Sequence, residues 1–538
     1  MENNNKRLLL ATVLCFAIIL GWQYFAEYMG WIEPAPIEEV TEEKPAQQTA
    51  TEAEVSAEPL APAALFAPAA GETITVDTPL YTAKVHSGGG VLQSFELKNY
   101  KATVEPDSPQ FNMISPEAAA VCPMGLMING RPTWTDGTWQ ASSGDLTIQN
   151  GTAELVLTGR LPNGTLTRRL TFHADSYLID ETVAFAANEG APVPVRLSYT
   201  LGATLYNNEN STYDPMSAAW LQKNSLKTDT GVKDLTNEGR AESGPIAWGG
   251  LMTNYFMSAV APFDDSDSVY KARIQNDVWR IALEKPAVEI AGGASLEQRA
   301  AWWIGPKDRA LLSAAPKNLE KSIDMGMFSF LALPMVWLLN FFQSFTHNYG
   351  LAIIVLTFVI KILLWPLTRK TYTSMEQMKK IQPLMKQLQE KYADNKEAMS
   401  REMMQLYKTY GVNPASGCLP MFAQLPIFYA LYQALLKAIE LRHASFITYL
   451  PFTDVFWLAD LSIKDPLYIT PIVMGVSMFL QQWLSPAQMD PNQRKMMMIM
   501  PVVFTFMFLA FPAGLVIYWL VNNILSIVQQ WWTLRKIK

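Results

Sequence analysis

Lys361 sits inside the apolar run 353–365, eight residues ahead of Arg369 and Lys370. On a helix that separation is about 12 Å along the axis. An ammonium at such depth in hydrocarbon costs about 2.5–3.5 kcal/mol, so it must face water or a partner. One reading is a snorkelling lysine whose stem reaches back toward the headgroups. The other is a polar cavity, and the other apolar runs favour it, since none carries an acidic residue at membrane depth to pair with the lysine. Thr357 lies one turn earlier, Gln424 and Gln433 fall in a later run, and Asn522 and Asn523 fall in the last one. Singly, each is an ordinary helix–helix hydrogen bond. Together with Lys361 they outline a polar pocket inside an apolar bundle.

The elements that must position these residues follow from composition. The chain has 538 residues, 49% hydrophobic and 17% charged, which excludes a mostly disordered protein and implies more than one folding unit. A mean hydropathy of +0.06 suits membrane spans joined to a water-soluble part. Net charge is −7, so direct nucleic-acid specificity is not expected. Cys15, Cys122 and Cys418 lie far apart, and with the four histidines they form no metal-ligand spacing. No metal and no cofactor is expected.

Residues 8–28 are nearly all apolar after Lys6 and Arg7, long enough to span, and no A-x-A site follows. They read as an uncleaved signal anchor within 1–30. Residues 31–71, rich in Pro, Ala, Glu and Thr, read as a linker. From 72 to 318 the pattern has period two. Leu166, Leu170 and Phe172 oppose Thr165, Thr167, Arg169 and Thr171, and Ile179, Glu181, Val183 and Phe185 alternate with Asp180, Thr182 and Ala184. Turn signals such as Gly88-Gly89-Gly90 separate the segments, so an antiparallel sandwich is expected.

Apolar runs return at 325–345, 349–367, 418–436, 467–484, 496–511 and 513–532. Residues 369–410 hold nine Lys/Arg, the loop 440–465 only Arg442 and Lys464, and the C-terminus Arg535, Lys536 and Lys538. The positive-inside rule puts 369–410, 485–495 and the tail in the cytoplasm. That topology holds only if 325–345 does not cross, so residues 319–347 are read as an interfacial helix. The run 496–511 is short for a bilayer, which would thin locally beside it. The expected fold is an α+β membrane protein with six transmembrane helices: one N-terminal anchor and a five-helix core at 348–538. The core includes a cytoplasmic helical hairpin at 370–415. Met378, Ile381, Met385, Leu388 and Tyr392, then Met399, Met403, Leu406 and Tyr410, keep helical spacing on either side of Asp394-Asn395. Packing of the pair accounts for such a seam; flexible methionines also hold varied apolar segments.

These residues resemble the YidC family of bacterial membrane-protein insertases in its long, Gram-negative form, over nearly the whole chain. The blocks that carry the likeness are 356–368 (LTFVIKILLWPLT), 372–375 (YTSM), 412–414 (VNP), 424–428 (QLPIF), Asp465-Pro466 with Met500-Pro501, and 511–515 (FPAGL). The resemblance implies a hydrophilic groove open to the cytoplasm and to lipid and closed toward the outside, in the inner membrane. It implies a periplasmic β-supersandwich like that of sugar mutarotases but without catalysis, and both termini in the cytoplasm. It assigns Lys361, Thr357, Gln424, Tyr518 and Trp519 to the groove, with lysine standing where the family normally has arginine. On the hairpin, Met378, Met385, Met399 and Met403 are the candidates for substrate capture, although packing alone accounts for most of such a seam. The partners implied are nascent and newly made membrane proteins, the bilayer, the Sec translocon and the ribosome.

Two other classes were weighed. A carbohydrate-active enzyme would need clustered acids or histidines in the sandwich, whereas His86 and His173 lie on separate strands. A small-solute transporter would show repeats and paired intramembrane ions. No Walker-type Gly-Lys-Ser/Thr loop appears, so nucleotide-driven transport has no support.

Overall fold

The alternation read over 164–185 becomes two antiparallel strands, Gly164–His173 and Leu178–Ala187, paired from Gly164 opposite Ala187 to Phe172 opposite Ile179. Leu166, Leu170, Phe172, Ile179 and Val183 are fully buried. Arg168 and Glu181 share the parity of those residues and go into the core with them. Burying two charges is costly unless both are paired and hydrogen-bonded. Here Arg168 Nε donates to Glu181 Oε1 at 2.6 Å, Arg168 Nη1 donates to the carbonyls of Gly89 and Gly90 at 2.7 and 2.9 Å, and Trp302 Nε1 donates to Glu181 Oε2 at 2.6 Å. The glycine run exists for this contact: Gly90 has φ +66°, and a Cβ there would meet Leu157 at 2.7 Å.

This computed structural model describes residues 70–537 apart from 122–123, 136, 207–212, 394, 412–418 and 485–490. The anchor expected at 1–30 and nearly all of the linker expected at 31–71 lie outside the described residues. The β-rich part holds three main sheets. A nine-stranded sheet runs from Ser225–Asp229 through Ile246–Met252, Phe256–Pro262, Ser295–Pro306, Leu178–Ala187 and Gly164–His173 to Thr138–Ala141. A six-stranded sheet centres on Val278–Glu284 and Leu197–Ala203, and a five-stranded sheet carries Val91–Lys101, Tyr81–His86 and Thr73–Asp77. One hydrophobic cluster runs through all three, with Tyr199, Trp248, Tyr270, Trp302 and Trp303 fully buried.

The helical part comprises α1 (Ser329–Thr346), α2 (Tyr349–Lys391), α3 (Lys396–Thr409), α4 (Leu419–Lys437), α5 (Ile469–Leu484), α6 (Pro491–Phe508) and α7 (Ala513–Ile537). By length and composition α1, α2 and α7 can cross a membrane, and α5 and part of α6 are shorter apolar helices. The span expected at 349–367 and the first helix of the hairpin expected from 370 are continuous. α2 is one helix of 43 residues that passes through Pro366 and Pro383. Its surface changes from apolar all round to one-sided with no glycine or cap at the change, so nothing terminates it. Asn395 caps α3 by accepting from the Ala398 amide at 3.0 Å, and Gly411 follows the helix at φ +63°. Met378 and Ile381 are buried with Met385 and Tyr407 against them. Tyr410, expected in that seam, is exposed, and Tyr407, three residues earlier, packs there instead.

α1 packs on α2 and α4 through Ala332, Met335 and Leu339, and leaves Phe330, Trp337, Phe341 and Phe345 exposed on its other side. Asp465 explains its motif: buried, it accepts from the Leu467 and Thr470 amides at 2.9 and 2.7 Å, the Thr470 hydroxyl at 2.8 Å and Trp457 Nε1 at 3.0 Å, and so fixes the start of α5. Gly475 lets α5 approach α6, since a Cβ there would collide with Thr505.

The β-rich part and the helices belong to one compact unit, Val55–Lys538. Arg442 clamps them together. Its guanidinium donates to the carbonyls of Lys101 and Ala102 at 3.0 and 3.4 Å and lies 5.0 and 4.9 Å from the ring centroids of Phe111 and Phe256, a geometry that favours a cation on aromatic faces. Lys307 is buried close by and donates to Thr253 O at 3.0 Å. Burial, with the nearby Lys437 charge second, lowers its pKa from an ordinary 10.5 to about 7.

Between those two values the unfolded chain binds more protons at Lys307 than the folded chain does, so stability rises with pH across that window. The apparent Tm of the full chain in detergent should therefore climb from pH 6.5 to 9, and Lys307→Met should flatten the climb. Equal slopes for the two proteins would remove Lys307 as the cause.

Candidate functional site

Six polar residues recur every three or four positions on α7: Asn522, Asn523, Ser526, Gln529, Gln530 and Thr533. They form a stripe about 16 Å long on one side of the helix. The first five tie α7 to three neighbours, α2, α4 and α5. Gln424 Nε2 on α4 donates to Asn522 Oδ1 at 3.3 Å, and Asn523 Nδ2 donates to Ser477 Oγ on α5 at 3.2 Å. Lys361 Nζ on α2 donates to Ser526 Oγ at 2.7 Å. Gln529 Nε2 donates to Thr368 Oγ1 on α2, and Gln530 Nε2 donates to the Leu484 carbonyl on α5 at 3.1 Å. α7 is thus the polar hub of the bundle.

Of the polar residues singled out in the sequence, Asn522 and Asn523 lie on this stripe, and Lys361 and Gln424 reach it from α2 and α4. Thr357 is fully buried one turn from the lysine, but its hydroxyl donates to Ile353 O at 2.6 Å on its own helix. Gln433 donates to Tyr429 on its own helix at 2.8 Å and does not join the stripe. Lys361 is 8% exposed. It is more enclosed than the water-filled cavity expected from the sequence, because Ser526 draws its amine against α7. Among the described residues no carboxylate pairs with it. Sequence reasoning missed Ser526, Gln529, Gln530 and Ser477, although the spacing of polar residues along the last apolar run was the signal that marks them.

Tyr518 and Trp519 occupy the other half of α7, on the side of the β-rich part. Trp519 lies between Phe428 of α4, at 4.7 Å between ring centroids, and Phe508 and Phe504 of α6, at 5.2 and 6.3 Å. Tyr518 stacks near Phe428 at 6.5 Å. Phe511 continues the cluster to Phe508 at 4.8 Å, Tyr432 at 6.3 Å and Tyr213 of the β-rich part at 4.9 Å. A polar stripe at one end and an aromatic plug at the other therefore share one helix. Outside the plug, α4 and α6 turn apolar side chains outward, among them Leu425, Ile499, Val502, Val503 and Phe506. Met378 is buried against Ile381, with Met385 packed on them; Met399 and Met403 are half-buried on α3.

A large β-rich domain carried by apolar helices with a polar interior defines an integral membrane protein that keeps hydrophilic groups inside lipid. Comparison makes the class specific. Residues 341–538 match the family model described as 60Kd inner membrane protein, and residues 73–338 match that of the YidC periplasmic domain. The membrane protein insertase YidC of Lawsonia intracellularis (strain PHE/MN1-00) is 51% identical over 535 residues, covering 99% of each chain. That of Nitratidesulfovibrio vulgaris (strain DP4) is 49% identical over 536 residues, again covering 99% of each. A solved active YidC insertase with its first transmembrane domain resolved aligns over 87% of this chain and 93% of its own at 16% identity, with a TM-score of 0.35 that adds no weight. The chain belongs to the YidC family of membrane protein insertases. Its β-rich part is the family's periplasmic domain, and its helices are those of an inner-membrane protein.

Trp519 joins α4 to α6 across the plug. Trp519→Ala should raise the leak of a small cation through proteoliposomes, while Trp519→Phe should stay tight; equal leak in all three proteins would show that the plug does not seal.

Proposed function

We propose that the polar stripe and Lys361 form a groove that receives hydrophilic tails of client membrane proteins from the cytoplasm and passes their apolar segments into lipid. A single observation carries this reading: a cation within an apolar helix bundle whose one partner among the described residues is a neutral hydroxyl. An acidic tail would meet that charge where the effective dielectric is low and the attraction several times its value in water. The client's apolar segment leaves along the outward apolar faces of α4 and α6, exchanging water for lipid, a transfer that is downhill. Insertion of this kind is non-enzymatic: no covalent bond is made or broken. The aromatic plug keeps the outer end closed.

In this reading the chain spans the membrane six times with both termini in the cytoplasm. α1 lies along the periplasmic surface with its exposed aromatic residues at headgroup level. The far half of α2 and α3 stand in the cytoplasm as a hairpin carrying the nine Lys/Arg of 369–410. There Met385, Met399 and Met403, with Met378 beneath them, hold apolar client segments loosely before entry. The ribosome and the Sec translocon fit as sources of such segments, and a lipid-open groove would also assist membrane proteins while they fold.

Proteoliposomes with a protease-protection readout test the groove. Lys361→Glu should cut insertion of a client with an acidic translocated tail by about tenfold, equivalent to about 1.4 kcal/mol. Lys361→Arg should insert it as the parent does. Unchanged insertion by the Glu variant would count against the groove.

A further inference from the structure

We infer that Ser526 is a positioning residue: it holds the Lys361 ammonium against α7 until a client carboxylate takes it over. The inference rests on the groove reading above and deepens it.

Ser526 Oγ accepts from Lys361 Nζ at 2.7 Å and donates to the Asn522 carbonyl one turn back, also at 2.7 Å. The serine's proton is therefore committed to its own helix, and a lone pair faces the amine. A hydroxyl on a helix commonly satisfies itself in this way; here the same oxygen also holds a charge contributed from 165 residues earlier in the chain. An ammonium has three N–H donors and no acceptor. Lys361 uses one of them, and among the described residues no second acceptor reaches it. Two donors remain for an arriving group.

The stripe around the lysine favours an anion as that group. On α7, Asn522 Oδ1 already accepts from Gln424, and the side-chain N–H groups of Asn523, Gln529 and Gln530 donate to α5 or α2; Gln529 and Gln530 each keep a buried side-chain oxygen with no partner. A carboxylate makes shorter and stronger hydrogen bonds to an ammonium than a neutral hydroxyl does. Exchange of Ser526 for a client Asp or Glu is therefore favourable, and rotation about the lysine's flexible four-carbon stem is enough to bring it about. In the absence of a client, Ser526 keeps the charge off the lipid and out of contact with neutral tails.

The test uses the full chain in proteoliposomes and two single-span clients that differ only in a tail carrying Asp/Glu or Asn/Gln. Ser526→Ala removes the acceptor, and Ser526→Thr keeps it. The readouts are reductive methylation of Lys361, followed by mass spectrometry, and the client concentration that gives half-maximal insertion. Ser526→Ala should speed methylation of Lys361 and lower the half-maximal concentration of the acidic client by about tenfold, near the low end for a hydrogen bond to a charged group. The neutral client should be unaffected, and Ser526→Thr should behave as the parent. Unchanged methylation, or an equal loss for both clients, overturns the inference, because a packing role alone would move both clients together. Lys361→Gln separates the two levels. Loss of the acidic preference in Lys361→Gln with a silent Ser526→Ala leaves the groove standing and removes the serine's role. A preference that survives Lys361→Gln removes both.

Discussion

A single ammonium held in an apolar helix bundle is the constraint on which the rest of the helical part depends. Left in hydrocarbon, the Lys361 charge would be expelled or neutralised. The bundle answers with one hydroxyl from α7 and a helix whose inner side is lined with amides. This is a minimal solution. A carboxylate partner would hold the lysine more firmly and would cancel the charge that the proposed groove presents to a client. A buried pair of that kind does occur in this chain, but in the β-rich domain, where Arg168 and Glu181 are locked by two glycine carbonyls and a tryptophan. The ion pair is closed in the β-rich domain, whereas in the helical part the lysine meets a neutral hydroxyl.

The halves of α7 divide two tasks. Toward its C-terminal end the helix offers polar groups to α2, α4 and α5; toward its N-terminal end it offers Tyr518 and Trp519 to a cluster of phenylalanines. Stacked and edge-on rings fill space densely and leave no room for water. Tyr213 extends the cluster into the periplasmic domain, and Arg442 fixes that domain to the loop ahead of α5. The periplasmic domain is thus in contact with the aromatic end of the bundle.

Most of the fold was legible in the sequence because it rests on local periodicity. The parity of Leu166, Leu170 and Phe172 located a core strand, and the same parity placed Glu181 inside before its partner was known. Arg168 was legible in principle, since it shares that face, but charge alone argues for the surface. The length of α2 was hidden because Arg369 and Lys370 mark the end of an apolar run, and that is not the end of a helix. In the site, Lys361, Gln424 and Asn522 stood out as polar residues in apolar runs. Ser526 did not, since a helical serine usually bonds only its own backbone. Arg442 was invisible for another reason: its carbonyl partners lie more than 300 residues earlier, and backbone atoms carry no sequence signal.

A groove open to one side only would make position 361 reachable from one face of the membrane. The most direct measurement is labelling of Lys361→Cys by a membrane-impermeant maleimide, in a chain whose Cys15, Cys122 and Cys418 are replaced by serine. Inverted vesicles expose the cytoplasmic face, and intact spheroplasts the periplasmic one. A groove closed by the aromatic plug predicts labelling in inverted vesicles and none in spheroplasts. Labelling from the periplasmic face, or from neither face, would contradict it.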